Sequence, residues 1–179
     1  MNLNKSKFET FFEHRANLVK QRMLRSNIAL KTHIRGCSID EILILEQRYH
    51  IVLPQSYKVF LKHFGHGLGG YVMNDIDILY DNIQGLTNIL RNEVLIEKGD
   101  PSLPDKAFVF ASRYEEQFMF FDASGLLEEP PIYYYIEDAE NFDKVGDTIF
   151  DILDDEIKAT EHYLATNRKE KISDENNKT

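Results

Sequence analysis

The sequence predicts an α+β fold: a single domain with a short antiparallel sheet flanked by helices, and a helical extension at its N-terminus. Three observations predict it. Residues 38–64 carry two consecutive apolar stripes of helical period, each with its own start and stop signals. Three short runs of aromatic and β-branched residues follow between 108 and 136, separated by charged or Gly/Pro turns. A last stripe of helical period, with Ile149, Leu153, Ile157 and Leu164 on one face, predicts a helix over about 147–164.

The first helix opens on Ser38 with Glu41 three residues later. This is a capping box, in which hydroxyl and carboxylate each satisfy an orphaned backbone N–H. Ile42, Leu45 and Tyr49 then share a face. Pro54 opens the second helix, where its fixed φ fits and its missing N–H costs nothing. Tyr57, Phe60, Leu61 and Phe64 make its core-facing stripe. Gly65 stands where a left-handed C-cap is expected, and Gly67, Gly69 and Gly70 suit a tight turn into an extended segment.

This arrangement resembles the SUKH superfamily, the fold of the fungal cell-wall-synthesis regulators and of many bacterial immunity proteins. The shared pattern is a helix with a central Glu (Glu46), a Leu-Pro pair (Leu53, Pro54) and an aromatic three residues on (Tyr57). A Phe/Leu pair (Phe60, Leu61) and a Gly-rich turn (Gly65, Gly70) complete it. The resemblance extends over residues 38 to about 160. It implies a SUKH-like domain without catalysis of its own, most often an immunity protein that neutralises a toxin passed between neighbouring bacteria. Many such toxins are nucleases with basic surfaces. The alternative it implies is an intracellular regulatory scaffold of the cell-wall-synthesis regulator type. The Arg113–Glu116 turn departs from the small Asp/Gly turn common in the family, which leaves the register of that hairpin open.

Composition narrows the classes. With 179 residues, 42% of them hydrophobic, the chain can bury one core. No apolar run approaches 18 residues, so no membrane span is expected. The polar residues 1–7 lack the apolar middle of a secretion signal. The single Cys37 forms no internal disulfide, so a cytoplasmic location is expected. The net charge of −9 is uneven: residues 1–35 hold eight Lys/Arg against two Glu, leaving 13 Lys/Arg against 28 Asp/Glu, a net −15, for the rest. That balance disfavours nucleic acid as a ligand of the main domain and favours a basic protein partner.

In chain order, Phe8, Phe11, Phe12, Leu18, Val19 and Met23 predict an amphipathic helix over about 7–25, and residues 26–36 read as a connector. Residues 71–73 and 76–79 look extended; 86–95 suit a short helix and 98–104 a loop. Residues 166–179 are polar and predict a disordered tail. The expected divisions are 1–36, 37–165 and 166–179.

Several motifs invite chemistry that their context does not support. Gly65-x-Gly67-x-x-Gly70 matches the dinucleotide fingerprint but follows a helix instead of opening one. His63, His66 and His50 suggest zinc, yet Gly65 interrupts the helix and no Cys or ordered carboxylate completes a ligand set. Asp75, Asp77 and Asp81 lack the glycine and third ligand of a calcium loop. Cys37 adjoins a helix start that would depress a thiol pKa, but no motif ties a base to it. Glu115-Glu116 and Glu128-Glu129 read as solvated turns. No catalytic residue, metal ligand or cofactor is assigned.

Two features remain for partner binding. Residues 128–156 carry eleven acids against one base, Lys144. Within that run Glu128, Glu129, Glu137, Asp138 and Glu140 are expected to face a basic partner. Tyr133 or Tyr135 is expected to serve as an aromatic anchor, because the predicted strands are apolar on both faces.

Overall fold

The computed structural model describes residues 7–73, 75–98 and 102–176. The polar start, the centre of the 98–104 loop and the last three residues lie outside them. Helix α1 (Lys7–Arg25) leads into strand β1 (Ala29–Arg35), then α2 (Ile39–Tyr49), α3 (Gln55–Phe64) and β2 (Gly67–Gly70). After a bent segment come α4 (Leu86–Asn88), a π-helical turn (Ile89–Val94) and α5 (Leu95–Lys98). Strands β3 (Ala107–Arg113), β4 (Gln117–Asp122), β5 (Ile132–Ile136) and β6 (Asp143–Gly146) precede α6 (Ile149–Asn176). The fold is α+β, as the sequence predicts, but its strands form two antiparallel sheets: β1 with β2, and β3-β4-β5-β6.

Helix α2 starts as the sequence dictates. The Ser38 hydroxyl accepts from the Glu41 amide while the Glu41 carboxylate accepts from the Ser38 amide at 2.7 Å. Helix α3 buries Tyr57, Val59, Phe60, Leu61 and Phe64. Tyr57 sits at the centre of an aromatic cluster, with ring centroids 5.3 Å from Phe110, 5.4 Å from Phe121 and 5.9 Å from Phe108. The four-stranded sheet thus packs one side on α3. Around Phe120, Tyr133 stacks at 5.6 Å and Phe142 meets it edge-on at 4.9 Å.

Several expectations are corrected. The 26–36 connector holds β1, whose strand signal is weak because only Ala29 and Ile34 are buried. The glycine run is itself strand β2 and not a turn. A Cβ on Gly67 would lie 2.3 Å from the His33 carbonyl oxygen, so glycine lets β1 approach. Gly65 has a right-handed φ of −58°, not a left-handed one. Glycine is needed there because a Cβ would meet Cys37 Sγ at 2.3 Å. Residues 76–79 contribute a single bridge, Asp77 to Ser112, instead of a strand. Strand β6 was not expected, because its residues are charged and exposed. Helix α6 runs past its apolar stripe to Asn176, through residues read from sequence as a tail.

Helix α1 covers 7–25 as expected and docks on its own domain. It buries Phe12, Ala16, Val19 and Met23 and stacks Phe12 on Phe150 of α6 at 5.9 Å. Polar contacts ring this apolar seat. Arg15 donates to Asp151 at 3.1 Å and to Asp154 at 2.8 Å, and its guanidinium lies over the Phe150 ring. Arg22 and Ser26 both donate to Glu161. Glu13 receives Lys62 and His63 of α3. Part of the basic N-terminal charge is therefore matched inside the molecule by part of the acidic excess.

These contacts set an acid limit on stability. Burial alone would raise the Glu13 and Asp151 carboxyls. The hydrogen bonds from Lys62 and His63, and from Arg15 and Thr148, outweigh it and hold both below the usual range. The Arg22 hydrogen bond holds Glu161 down, against a smaller effect of burial. A carboxyl whose pKa is lower folded than unfolded stabilises the fold above its unfolded value. It loses that contribution as pH falls through the folded one. The melting temperature should therefore drop below about pH 4. Glu13→Gln and Glu161→Gln should each shrink that drop in thermal melts taken from pH 7 to pH 2.

Candidate functional site

The structure divides the acidic run 128–156 by role. Glu129 is not a solvated turn residue: its carboxylate accepts from the Ser56 amide at 3.0 Å and from the Ser56 hydroxyl at 2.6 Å, closing the start of α3. Burial raises its pKa, with the Ser56 hydrogen bonds opposing. Asp151 also accepts from the Thr148 amide at 2.7 Å, so it, rather than Asp147, closes the start of α6. With Asp154 it holds Arg15. Glu128, Glu137, Asp138, Glu140, Asp143 and Asp147 remain exposed. Apart from Glu128 and from Asp155 on α6, the outward-facing charge of the run thus collects after β5 and along and just past the edge strand β6.

Tyr135 does not reach the surface. It is 0% exposed and packs edge-on against Phe142 at 5.8 Å, so it belongs to the core and not to an anchor. Tyr133 is partly buried, stacked over Phe120. Neither face of the sheet is an open aromatic platform, since Phe118, Phe120 and Phe121 are all at most 2% exposed.

An open groove of about 430 Å³ lies between the sheet and α6. Ala111, Met119 and Ile152 give it an apolar lining, with Gln117, Tyr134 and Glu156 as polar members. The Tyr134 hydroxyl donates to Gln117 Oε1 at 2.8 Å. Burial raises the Glu156 carboxyl above the usual range, with nearby Arg113 partly offsetting it. Ser112 lines the groove at 1% exposure, and its hydroxyl has no hydrogen-bond partner among the described residues. No base is hydrogen-bonded to that hydroxyl among the described residues. The apolar lining and uncommitted polar groups of the groove can hold a side chain from another molecule.

The histidines do not converge on one another. His63 Nε2 meets Glu13 at 2.7 Å, and His50 is the left-handed C-cap of α2. His66 Nε2 lies 2.8 Å from Glu41, and its Nδ1 lies 3.4 Å from Asp81. The three aspartates separate likewise: Asp75 pairs with Arg113 and Asp77 accepts from Asn82. Sequence reasoning missed that Cys37 joins Glu41 and His66, with ligand-type atoms all within 4.8 Å of one another. Three positions drawn from 37–66 carry no common spacing, so only the packing of α2 against the end of α3 reveals them. The thiol is not activated by the helix start: burial, then the charges of Glu41 and Asp81, push it up to about 12.

The model of the SMI1 / KNR4 family (SUKH-1) matches residues 36–155, two thirds of the chain. The chain belongs to this family. No curated protein is similar enough to match it. The residues that carry the sequence resemblance have structural work here. Glu46 Oε1 accepts from the Leu53 amide at 2.8 Å and pairs with Lys58 at 2.7 Å, tying α2 to α3 across the Leu53-Pro54 corner. Leu53, Tyr57, Phe60 and Leu61 are each at most 2% exposed. Gly65 admits Cys37, and Gly70, at φ 121°, pairs with Ala29. Helix α1 and strand β1 precede the SUKH-1 segment yet complete its core.

Proposed function

We propose that this SUKH-1 protein is a non-catalytic binding module that captures a basic protein partner, and that it acts as an immunity protein against a nuclease-type toxin. The observation that supports it is the exposed acidic border of residues 137–143 on the same four-stranded sheet as a groove whose Ser112 hydroxyl is unpaired. A Lys or Arg side chain suits such a groove: its methylenes match Met119 and Ile152, and its charge matches Glu156. Membership of the family carries a partner-binding role, and nuclease surfaces are basic because they hold phosphates. Among the described residues no helix is long and apolar enough to cross a membrane.

Reversing Glu137, Asp138 and Glu140 to Lys should slow association with a basic nuclease-type toxin domain at least about tenfold at low salt. The melting temperature should change little, because exposed charges contribute little to stability. Raising salt above 0.1 M, where the Debye length is about 10 Å, should erase the difference. Rate constants at several ionic strengths and survival of cells expressing the toxin provide the check. Tight binding indifferent to salt and to all three reversals would remove the electrostatic reading. No binding and no protection, with stable capture of a housekeeping protein instead, would favour a regulatory scaffold of the SMI1/KNR4 kind.

A further inference from the structure

We propose that Cys37, Glu41 and His66 form a binding site for a divalent transition-metal ion, best suited to zinc. The site draws on three elements: Cys37 from the segment before α2, Glu41 from the first turn of α2, and His66 from the turn after α3. Thiolate sulfur, imidazole nitrogen and carboxylate oxygen are the three donor types that zinc takes from proteins. Zinc lies about 2.3 Å from sulfur and about 2.0 Å from nitrogen or oxygen, which places tetrahedral ligand atoms about 3.2–3.6 Å apart. The three donor atoms here already lie within 4.8 Å of one another, so small side-chain rotations bring them onto one ion.

What lies behind the ligands argues more strongly than the triangle itself. A metal-binding histidine donates its second ring N–H to a carboxylate, which fixes its tautomer and its orientation. His66 turns Nε2 toward Glu41, while the Asp81 carboxylate faces Nδ1 at 3.4 Å. A ligating carboxylate is likewise held by hydrogen bonds on its other oxygen. Glu41 Oε2 receives the Ser38 amide at 2.7 Å and the Ser38 hydroxyl at 2.8 Å, leaving Oε1 toward His66. The Tyr80 ring packs edge-on against His66 at 5.4 Å. Both carboxylates are thus disposed as a first and an outer partner of one ion.

The electrostatics agree with the geometry. The Glu41 and Asp81 carboxylates both stand at His66, and a dication supplies positive charge that this cluster of acids lacks. On binding, the thiol proton leaves to solvent and the sulfur's electron pair is given to the metal; nothing is oxidised or reduced. Any proton shared between His66 and Glu41 is displaced with it. Asp81 is exposed, which gives the ion a path in.

The test uses the full chain, stripped with a chelator and titrated with Co²⁺ and then Zn²⁺. One Co²⁺ per chain should bind with a near-ultraviolet thiolate-to-cobalt band and tetrahedral visible absorption, and Zn²⁺ should displace it stoichiometrically. Cys37→Ser should abolish the band, His66→Ala should abolish binding, and His63→Ala should change neither. If the Cys37 or His66 variant fails to fold, Asp81→Asn serves instead, because its side chain is exposed. It should weaken affinity about 10- to 100-fold without changing the band. Cobalt bound without a thiolate band overturns the assignment. So does zinc affinity that Asp81→Asn, His66→Ala and Cys37→Ser all leave unchanged. These readouts are independent of toxin binding, so the site can fail while the binding role stands.

Discussion

Replacing Tyr57 with alanine should lower the stability of the fold by about 3–5 kcal/mol. The ring is 1% exposed and touches Phe60, Phe108, Phe110 and Phe121, so truncation leaves a cavity walled by aromatic rings that cannot collapse together. Tyr57→Phe should behave oppositely. The hydroxyl has no hydrogen-bond partner among the described residues, and burial raises its pKa far above the ordinary tyrosine value. Removing an unpaired buried hydroxyl costs nothing in bonds, so this variant should match the parent or exceed it by about 1 kcal/mol. Urea unfolding of both variants decides the matter. An alanine variant within a few tenths of the parent would mean that this cluster is not the centre of the core. A destabilised phenylalanine variant would mean that the hydroxyl is bonded after all.

The second large effect concerns α1. A chain lacking residues 1–35 should fail to unfold cooperatively. It loses the burial of Phe12, Val19 and Met23, at about 1.5–3 kcal/mol each. That is comparable with the about 5–15 kcal/mol that holds a typical domain together. It also loses β1, the partner of β2 in the two-stranded sheet, along with Arg15, which leaves Asp151 and Asp154 facing the emptied seat. A finer probe is Arg15→Met, which keeps the apolar stem and removes the charge. Both aspartates are about a third exposed, so its cost should stay near ~1 kcal/mol and shrink with salt. Thermal melts of the two chains against the parent test this. A sharp transition from the chain lacking residues 1–35 near the parental temperature would show α1 to be an accessory.

The parts of the fold legible in the sequence are those where local chemistry and packing agree. Ser38 and Glu41 cap a helix through their own hydroxyl and carboxylate, and Tyr57, Phe60 and Phe64 face the core because their spacing is helical. Strands β3 to β5 are apolar enough to show themselves. Strands β1 and β6 are not: they are held by partners distant in sequence, and their side chains are mostly exposed. The glycines misled for a related reason. Gly65 and Gly67 are required by what comes close to them, Cys37 and the His33 carbonyl, and not by their own φ. The acidic surface was only partly legible, since a charge count cannot separate Glu140, which faces water, from Glu129, which closes a helix. Tyr135 was unreadable in the same way: a strand with aromatics on both sides does not say which ones the Phe142 segment covers.

The clasp between Arg15 and Asp151 has a consequence for synthesis. The two residues stand 136 apart in the chain. At about 5–20 residues per second, a ribosome needs roughly 7–30 seconds to add α6 after α1 has been made. During that interval α3 and β1 shelter only part of the apolar stripe of α1, and Phe12 waits for Phe150. An early-made helix that is seated last is exposed to chaperones and to neighbouring nascent chains. Conditions that slow translation through residues 26–150 should therefore lower the yield of soluble protein more than equal slowing after residue 157.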